Sequence, residues 1–426
     1  MIRIGKPYIR ETEELAYLCA DVSISEETAL KFRDVTFSLK NTSWLTQSDY
    51  PPASWDDGSC TLWFSVRPQF SKYLCYERSN AFIMTFFWYA MVTGSDISFE
   101  APVSRRLYDR LTEKLMPALA ESGFEPVRLS GPVTDEPVEC AEGVATGMSA
   151  GVDSFYTLHC FRSSLTHLTH FKGNHLLPYV DPPYNITEIY EARERDNAKA
   201  LTDAGKVAEH NGLPLIVVDT NQSKDFYRGG LVFTAMYSFV SCSLALEHLF
   251  STYISSSSGH KEHDLKVTLF GQTQLYEDLL TECIQTETFR YVNSDHETRY
   301  DKLRVIADDE DSQKYLDVCF NLESKGNNCG ECFGCWKTMI PLDFMGKLDK
   351  FSARFDLDKY YNGRRKVFSD LINYSLRSEA LAARDAVNQL LNSPEIETSE
   401  SGREFLEVYK EKMLKTRDGS LPHGIS

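Results

Sequence analysis

The segment from Gly147 to Ser154 constrains the fold of this chain more than any other, because it reads Ser-x-Gly-x-Asp-Ser between a β-like run and a helix-like run. A loop of small residues between a strand and a helix directs backbone N–H groups at one point, where an anion binds at the positive end of the helix. The hydroxyls of Ser149 and Ser154 and the carboxylate of Asp153 suit a magnesium-bound pyrophosphate. The segment therefore predicts a site for ATP that is cleaved between its α and β phosphates, leaving AMP on an activated substrate. The alternative is a simple turn that a serine caps.

Strand-like and helix-like segments alternate through the middle of the chain. The predicted strands lie at residues 143–146, 165–171, 215–219, 253–257 and 289–292, and the predicted helices at 155–161, 188–211 and 231–250. This alternation favours an α/β fold, a parallel sheet with helices on both faces. In such sheets ligands bind beyond the carboxyl ends of the strands, where we expect segment 147–154 to lie.

Residues 1–135 have a different pattern. Residues 35–39, 61–66 and 96–99 are predicted strands, and residues 103–121 are a predicted helix with Leu107, Leu111, Leu115 and Leu119 on one face. Towards the C-terminus, residues 360–391 and 404–415 have helical spacing. The sequence thus predicts three parts: an N-terminal α+β domain at 1–135 with a hypothetical partner-docking role, a nucleotide-binding domain at 140–345, and a helical C-terminal extension at 346–426.

The charge balance opposes a broad nucleic-acid-binding surface. The chain has 45 Lys and Arg against 62 Asp and Glu, a net charge of −17, which repels phosphate groups. The N-terminus lacks the apolar core of a secretory signal peptide. Residues 81–92 are too short to span a bilayer, and residues 231–250, which include Glu247 and His248, fit a buried helix better. We therefore expect a cytoplasmic protein that contacts neither nucleic acid nor membrane directly.

Four of the eleven cysteines form a second pattern. They are Cys319, Cys329, Cys332 and Cys335, in the spacing Cys-x9-Cys-x2-Cys-x2-Cys. Tight Cys-x2-Cys turns direct two thiolates at one centre, about 2.3 Å from zinc, and four thiolates close a tetrahedral site. The pattern therefore predicts a structural zinc site. An iron–sulfur cluster, which also takes four cysteines, is the alternative.

The two motifs, in this order, resemble those of the QueC family of PP-loop ATP pyrophosphatases, the 7-cyano-7-deazaguanine synthases. That family has a Ser-Gly-Gly-x-Asp-Ser loop, then one cysteine, then Cys-Gly-x-Cys-x2-Cys; the segment Glu297–Leu303 stands where it has a polar turn entering a helix. The resemblance covers about residues 143–340. Ala150 replaces the first glycine of the loop, so its methyl group is expected to crowd the phosphate if the position needs a positive φ. The family's aromatic-Gln-Arg-His element has its nearest counterpart in Tyr190–Arg195.

The extra N-terminal part makes the architecture more similar to that of the QueC-like proteins of antiphage defence, such as QatC. The resemblance implies a ligase that adenylates a carboxylate, 7-carboxy-7-deazaguanine, and joins it to ammonia or to an amine of a protein partner from the same operon. The implied cofactors are ATP, Mg²⁺ and Zn²⁺. The residues implied to bind the nucleotide are Ser149, Ala150, Gly151, Val152, Asp153 and Ser154, with Asp153 on magnesium.

Charge on the transferring phosphate requires cations near the loop. The candidates are Arg299 and Lys302, and further Arg193, Arg195 and Arg228. The candidates for a base are His159, His175 and His260, while Asp219 and residues 255–258 follow predicted strands and are candidates for nucleotide or substrate contacts.

Two other function classes stay open. A PP-loop enzyme of sulfur transfer or RNA modification would use free, reactive cysteines, which a zinc site would not leave available. A non-catalytic subunit of a defence complex would carry Ala150 as the mark of a decayed site.

Overall fold

The structure is a computed structural model that describes most of the chain. The described residues are 1–31, 59–172, 186–222, 231–257, 276–294, 296–319, 321, 324, 327–377 and 381–417; for 186–196, 231–234, 381 and 415–417 only the backbone is described. Several predictions fall outside this part of the chain: the strand at 35–39, His175, Arg228, Ser258, His260, and the side chains of Arg193 and Arg195.

The strands and helices follow one another in an order that matches most of the predicted elements. In chain order the strands are β1 (Ile2–Ile4), β2 (Tyr8–Glu11), β3 (Ala16–Ile24), β4 (Ser59–Val66), β5 (Ile97–Phe99), β6 (Val103–Ser104), β7 (Leu129–Ser130), β8 (Val133–Thr134), β9 (Gly143–Gly147), β10 (His167–Phe171), β11 (Leu215–Thr220), β12 (Phe250–Ser255) and β13 (Arg290–Asn293). The helices are α1 (Asn80–Thr93), α2 (Arg105–Arg110), α3 (Met116–Glu121), α4 (Val152–Phe161), α5 (Ile186–His210), α6 (Leu231–Leu244), α7 (Glu277–Cys283), α8 (Arg299–Ile306), α9 (Glu310–Tyr315), α10 (Phe333–Phe344), α11 (Leu357–Ser375), α12 (Leu381–Leu391) and α13 (Glu400–Arg417).

The residues form two compact units, each of which is described by itself. Unit 1 consists of Met1–Met148, Phe161–Asn197 and Ala204–His296. Unit 2 consists of Ser149–Cys160, Ala198–Asp203 and Glu297–Ser426.

Five parallel strands form one half of the sheet in unit 1, in the spatial order β13-β12-β9-β10-β11. Strand β9 lies in the middle of the five, and its Ala145 is fully buried, as are Ile216 and Val218 of β11. Continuous apolar strands are typical of a parallel sheet that helices cover. The α/β fold with a mostly parallel central sheet flanked by helices is therefore confirmed; a sheet with helices on both of its faces stays a prediction.

The strands before residue 135 belong to the same sheet. Strand β4 pairs antiparallel with β11, with Asp219 opposite Ser65, and the order continues as β4-β3-β1-β5-β7. Strand β2 pairs with β3, while β6 and β8 form a separate two-stranded sheet. The sheet thus crosses the predicted boundary between the first two domains; the three-part division itself stays a prediction.

Helices α1 and α6 are apolar on all sides and pack against each other and into the core of unit 1. The helix predicted at 231–250 ends earlier, at Leu244, and a turn leads into β12 at Phe250. Serines occur on this apolar helix because the buried amide of Gln222 donates to Ser241 and Thr85 and accepts from Ser238. Across the described ranges, no helix has the length and apolar character that a bilayer crossing requires.

The helix predicted at 103–121 is interrupted. It begins after β6, and between α2 and α3 its residues Leu111–Leu115 form one π-helical turn, in which the Met116 N–H bonds the Leu111 carbonyl. Pro117 has no N–H to donate, which breaks the regular α-helical ladder at this point. The four leucines of the predicted face are buried, as expected.

Unit 2 has its own apolar core between α8, α10 and the C-terminal helices. It is formed by Tyr300, Ile340, Phe344, Phe368, Leu371, Phe405 and their neighbours. The helical stretch predicted at 360–391 is two helices, α11 and α12, and the one predicted at 404–415 is the longer α13. The core fixes α8 and α10, which carry charged and cysteine residues described next.

Candidate functional site

The loop between β9 and α4 is held by its two serines. Ser149 Oγ lies 3.4 Å from Ser154 Oγ and accepts a bond from the Gly151 N–H, and Ser154 Oγ donates to the Gly151 carbonyl at 3.0 Å. Both hydroxyls therefore face the same short turn at the N-terminus of α4. These contacts fit a phosphate loop and a capped turn alike, so the surrounding charges must distinguish the two.

Ala150, which stands where the motif has a glycine, adopts the left-handed backbone conformation that glycine favours. Its φ is +59°, in the left-handed region, and its side chain is fully buried. An alanine there is strained by about 1–2 kcal/mol, because its Cβ approaches the following carbonyl oxygen. The loop nevertheless holds this conformation, and the Ala150 carbonyl accepts a bond of 2.8 Å from the Asp317 N–H.

We expect Ala150→Gly to be more stable than Ala204→Gly by about 1–2 kcal/mol in free energy of unfolding. Ala204 is also fully buried, but it lies in the regular helix α5. Both variants lose a buried methyl group and gain chain entropy when unfolded, so their difference isolates the strain. Urea denaturation followed by circular dichroism measures it; equal losses in the two variants would show that Ala150 is not strained.

Asp153, in the first turn of α4, faces two cations from α8. Its Oδ1 lies 3.2 Å from Lys302 Nζ, and its Oδ2 lies 3.7 Å from an Arg299 terminal nitrogen. The structure thus brings the first two cation candidates to the carboxylate that the motif singles out. Thr298 caps α8 by accepting from the Asp301 N–H, which fixes the start of the helix. Because residues three apart lie on one helix face, both cations point the same way.

Both cations are largely shielded from solvent, although 18% of the Arg299 side chain is exposed. The Lys302 side chain is 0% exposed and its ammonium lies 5.5 Å from the centre of the Tyr156 ring. Arg299 donates to Thr338 Oγ1 at 3.2 Å, and burial lowers the pKa of its guanidinium while Asp153 opposes that shift. Buried cations require compensating anions, and Asp153 supplies a carboxylate contact to both of them.

A third cation, which the sequence analysis did not find, is close to this group. Lys337 on α10 is half-buried, and desolvation followed by the charge of Arg299 lowers its pKa to about 7. Its ammonium lies 5.0 Å from the centre of the Phe333 ring. Lys302 and Arg299 thus place two cations against the Asp153 carboxylate at the start of α4. Two cations at this point suit a highly charged anion such as a triphosphate, whereas a capped turn needs no such cations.

The other candidates take different places. His159 is exposed in the last turn of α4, at the far end of the helix from the loop. In unit 1, Asp219 lies near the end of β11 and forms an ion pair of 3.5 Å with Lys172. Residues 255–257 lie at the end of β12, where the Ser257 N–H donates to Ser294 Oγ. Both groups are thus at the carboxyl ends of parallel strands, as predicted.

The four cysteines converge on one point. Their Sγ atoms all lie within 4.8 Å of one another, with Cys332 at 3.5 Å from Cys335 and 3.9 Å from Cys319, and Cys329 at 4.0 Å from Cys335. Sulfurs around a tetrahedral zinc are about 3.8 Å apart, which follows from the zinc–sulfur bond length. A multi-iron cluster separates its cysteines further, since iron and sulfide lie between them. The cluster can therefore bind one metal ion such as zinc.

Backbone N–H groups, a tight turn and a helix N-terminus surround the sulfur atoms of the four cysteines and suit them to bind a metal ion. The N–H groups of Asn321 and Cys329 point at the Cys319 sulfur, both at 3.4 Å, and the turn at Gly330 has a φ of +74°. Cys332 occupies the N-cap position of α10 and Cys335 lies in its first turn, so the helix N-terminus favours thiolates there. Hydrogen bonding from Cys319 lowers the pKa of the Cys329 thiol, whereas hydrogen bonding with Cys319 raises the pKa of the Cys335 thiol.

Two residues that the sequence analysis missed connect the parts of unit 2. The buried Asn328 side chain accepts from the Val318 N–H and donates to the Leu316 carbonyl, which holds the first cysteine against the other three. Thr338, one turn after Cys335 on α10, accepts the bond from Arg299. Helix α10 thus carries both a cysteine of the cluster and the hydroxyl that accepts from the Arg299 guanidinium.

Comparison of the chain with protein-family models, with curated proteins and with solved structures finds no match.

Proposed function

We propose that the chain is an ATP-dependent carbon–nitrogen ligase that adenylates a carboxylate and transfers the acyl group to a nitrogen. One observation carries the proposal: the pairing of Asp153 with Lys302 and Arg299 beside the two loop serines. A carboxylate, two cations and a helix N-terminus at one point are the groups that a nucleotide triphosphate and its magnesium ion require.

The reaction would have two steps that balance in atoms and charge. The substrate carboxylate attacks the α-phosphorus of ATP, the bond to the bridging oxygen breaks, and pyrophosphate leaves. The acyl-adenylate then reacts with an amine or ammonia, which forms the carbon–nitrogen bond and releases AMP and a proton. Activation is needed because a carboxylate is a poor electrophile.

The residues divide this work by their chemistry. Ser149, Ser154 and the N–H groups of the loop would hold the departing pyrophosphate. Asp153 would take the magnesium ion, which neutralises phosphate charge when bound. Arg299 and Lys302 would stabilise the charge that develops on the transferring phosphate. Following the resemblance in the sequence, the proposed substrate is 7-carboxy-7-deazaguanine, and the acceptor is ammonia or an amine of a partner protein in antiphage defence.

The strain at Ala150 is the observation that favours the alternative of a non-catalytic subunit. A decayed site loses the selection that keeps buried cations beside a carboxylate, however, and here Lys302 and Arg299 both contact Asp153. The contacts of both cations with Asp153 therefore support the ligase over the non-catalytic subunit.

Substrate-dependent exchange of radiolabelled pyrophosphate into ATP tests the first step alone, whatever the acceptor is. We expect exchange when 7-carboxy-7-deazaguanine and magnesium are present, and a loss of about 100-fold in Ser149→Ala, the size typical of removing one donor to a developing anion. Ser164→Ala, an exposed serine past the end of α4, is the matched control and should keep full exchange. Exchange that is absent from the wild type, or unchanged in Ser149→Ala, would refute the proposed function. If exchange is found, a second assay for AMP release with added ammonium tests whether ammonia is the acceptor.

A further inference from the structure

A second group of potential metal ligands lies in unit 1. Cys75 and Glu77 follow a short 3₁₀ helix, Pro68–Tyr73, and His248 lies in the turn between α6 and β12. The Cys75 sulfur, a Glu77 oxygen and a His248 nitrogen lie within 4.8 Å of one another. The Cys75 N–H donates to the Ala245 carbonyl at 3.0 Å, which joins the two segments by their backbones.

The hydrogen bonds of His248 define what must lie between it and Glu77. Its Nδ1 is 2.7 Å from the Glu139 carbonyl oxygen, and its Nε2 is 2.9 and 3.1 Å from the two Glu77 oxygens. A carbonyl oxygen only accepts, so Nδ1 carries a proton, and a neutral ring then has a lone pair at Nε2. A lone pair that faces a carboxylate is repelled, so either a second proton or a metal cation lies between them.

This arrangement is the one that metal-binding histidines usually show. Their second ring nitrogen donates to a backbone carbonyl or carboxylate, which fixes the tautomer and aims the other nitrogen at the metal. Cys75 is 2% exposed, so a role as an accessible nucleophile does not fit, whereas a buried thiolate ligand does. The Glu77 side chain is 39% exposed, which leaves one side of the group open to water.

Charge selects the class of ion. A thiolate and a carboxylate supply two negative charges and the imidazole is neutral, so a divalent ion makes the group electrically neutral. Sulfur, nitrogen and oxygen ligands together are typical of zinc, for which three protein ligands and one water complete a tetrahedron. Binding would displace the thiol proton of Cys75 and any proton on His248 Nε2, and those protons leave to solvent.

We propose that Cys75, Glu77 and His248 bind a zinc ion as a second metal site, separate from the four-cysteine centre and independent of the proposed ligase activity. The ion ties the chain segment after Tyr73 to the turn before β12. Through the Nδ1 bond it also holds the segment of Glu139, four residues before β9 begins.

Zinc analysis of the full-length protein after saturation and gel filtration tests the site. We expect two zinc ions per wild-type chain, one for each ligand cluster, and one per chain in His248→Ala. Glu77→Gln keeps the shape of the side chain and should weaken zinc binding at this site at least about tenfold, as loss of groups around a metal does. His210→Ala, an exposed histidine at the end of α5, should bind as the wild type does.

Cobalt adds a readout that only a thiolate ligand gives. When cobalt replaces zinc at this weaker site, we expect a thiolate-to-cobalt absorption band that Cys75→Ser removes and Cys242→Ser keeps. One zinc per chain in the wild type, or equal zinc dissociation constants for this site in wild type and Glu77→Gln, would overturn the proposal and leave an imidazolium–carboxylate ion pair only. Because Glu77→Gln is isosteric, this comparison decides the question even if His248→Ala does not fold.

Discussion

Replacing Cys335 by serine is expected to release the metal of the four-cysteine centre and to lower the free energy of unfolding of the protein by at least about 3 kcal/mol, since binding energy at a structural zinc site is folding energy. Cys335 is fully buried in the first turn of α10 and lies 3.5 and 4.0 Å from Cys332 and Cys329. The substitution removes the one expected ligand that lies within α10, so a metal ion no longer connects α10 to the turns that carry the other three cysteines.

The matched control is Cys242→Ser, which makes the same change at a fully buried cysteine outside the cluster. Burying one hydroxyl without a metal should cost only about 1–2 kcal/mol. Zinc content and urea denaturation together separate the two variants. If Cys335→Ser keeps its zinc, or is destabilised no more than Cys242→Ser, the four cysteines do not form a structural metal site.

Cys335→Ser should also lose pyrophosphate exchange, because a hydrogen bond connects α10 to a cation beside Asp153. Helix α10 carries Thr338, which accepts from Arg299, and Lys337, whose charge lies near Arg299. When α10 loosens, Arg299 loses its fixed partner and Asp153 keeps only Lys302. A metal-free protein with unchanged exchange would show that the centre supports folding alone.

Local sequence patterns predict the parts of this molecule that depend on neighbouring residues. Alternation of strands and helices gave the five parallel strands, and the spacing of four cysteines gave a cluster whose sulfurs meet within 4.8 Å. The loop motif likewise located Asp153, and the turn before α8 located Arg299 and Lys302. Each of these features depends on a short stretch of sequence, in which the spacing of the residues and the local backbone conformation set the geometry.

Features that depend on distant segments were not predictable from such patterns. The pairing of β4 with β11 joins Ser65 to Asp219, and no periodicity in either strand specifies its partner. Glu77 and His248 are 171 residues apart, so their contact has no sequence spacing to reveal it. Lys337 was missed for a different reason: a lysine beside a cysteine motif resembles a solvated surface residue until the packing of α10 partly desolvates it and lowers its pKa.

Replacing Lys302 by methionine is expected to reduce pyrophosphate exchange by about 100- to 1,000-fold while leaving the stability of the protein within about 1 kcal/mol of the wild type. The Lys302 side chain is 0% exposed and its ammonium contacts Asp153 at 3.2 Å. Methionine has a similar length and no charge, so the buried volume stays filled. Asp153 is 31% exposed and keeps Arg299 at 3.7 Å, so it is not left as an unpaired buried charge.

The two effects have separate physical origins, which makes the result informative. A buried ion pair contributes little net stability, because the cost of removing both charges from water offsets their attraction. A cation aimed at a developing phosphate charge, in contrast, acts only in the transition state and lowers kcat when it is lost. We therefore expect the loss in kcat rather than in the KM for the carboxylate.

Lys314→Met is the matched control, because Lys314 forms an exposed pair with Glu310 one turn away on α9. It should keep both exchange and stability, since exposed pairs of this kind contribute less than about 1 kcal/mol. If Lys302→Met retains exchange, the contact with Asp153 is structural and the cations do not serve phosphate chemistry. If Lys302→Met loses exchange only because it unfolds, its urea midpoint falls together with the exchange rate. Lys302→Arg, which keeps the charge at a different geometry, should in that case be as stable as the wild type and still exchange more slowly.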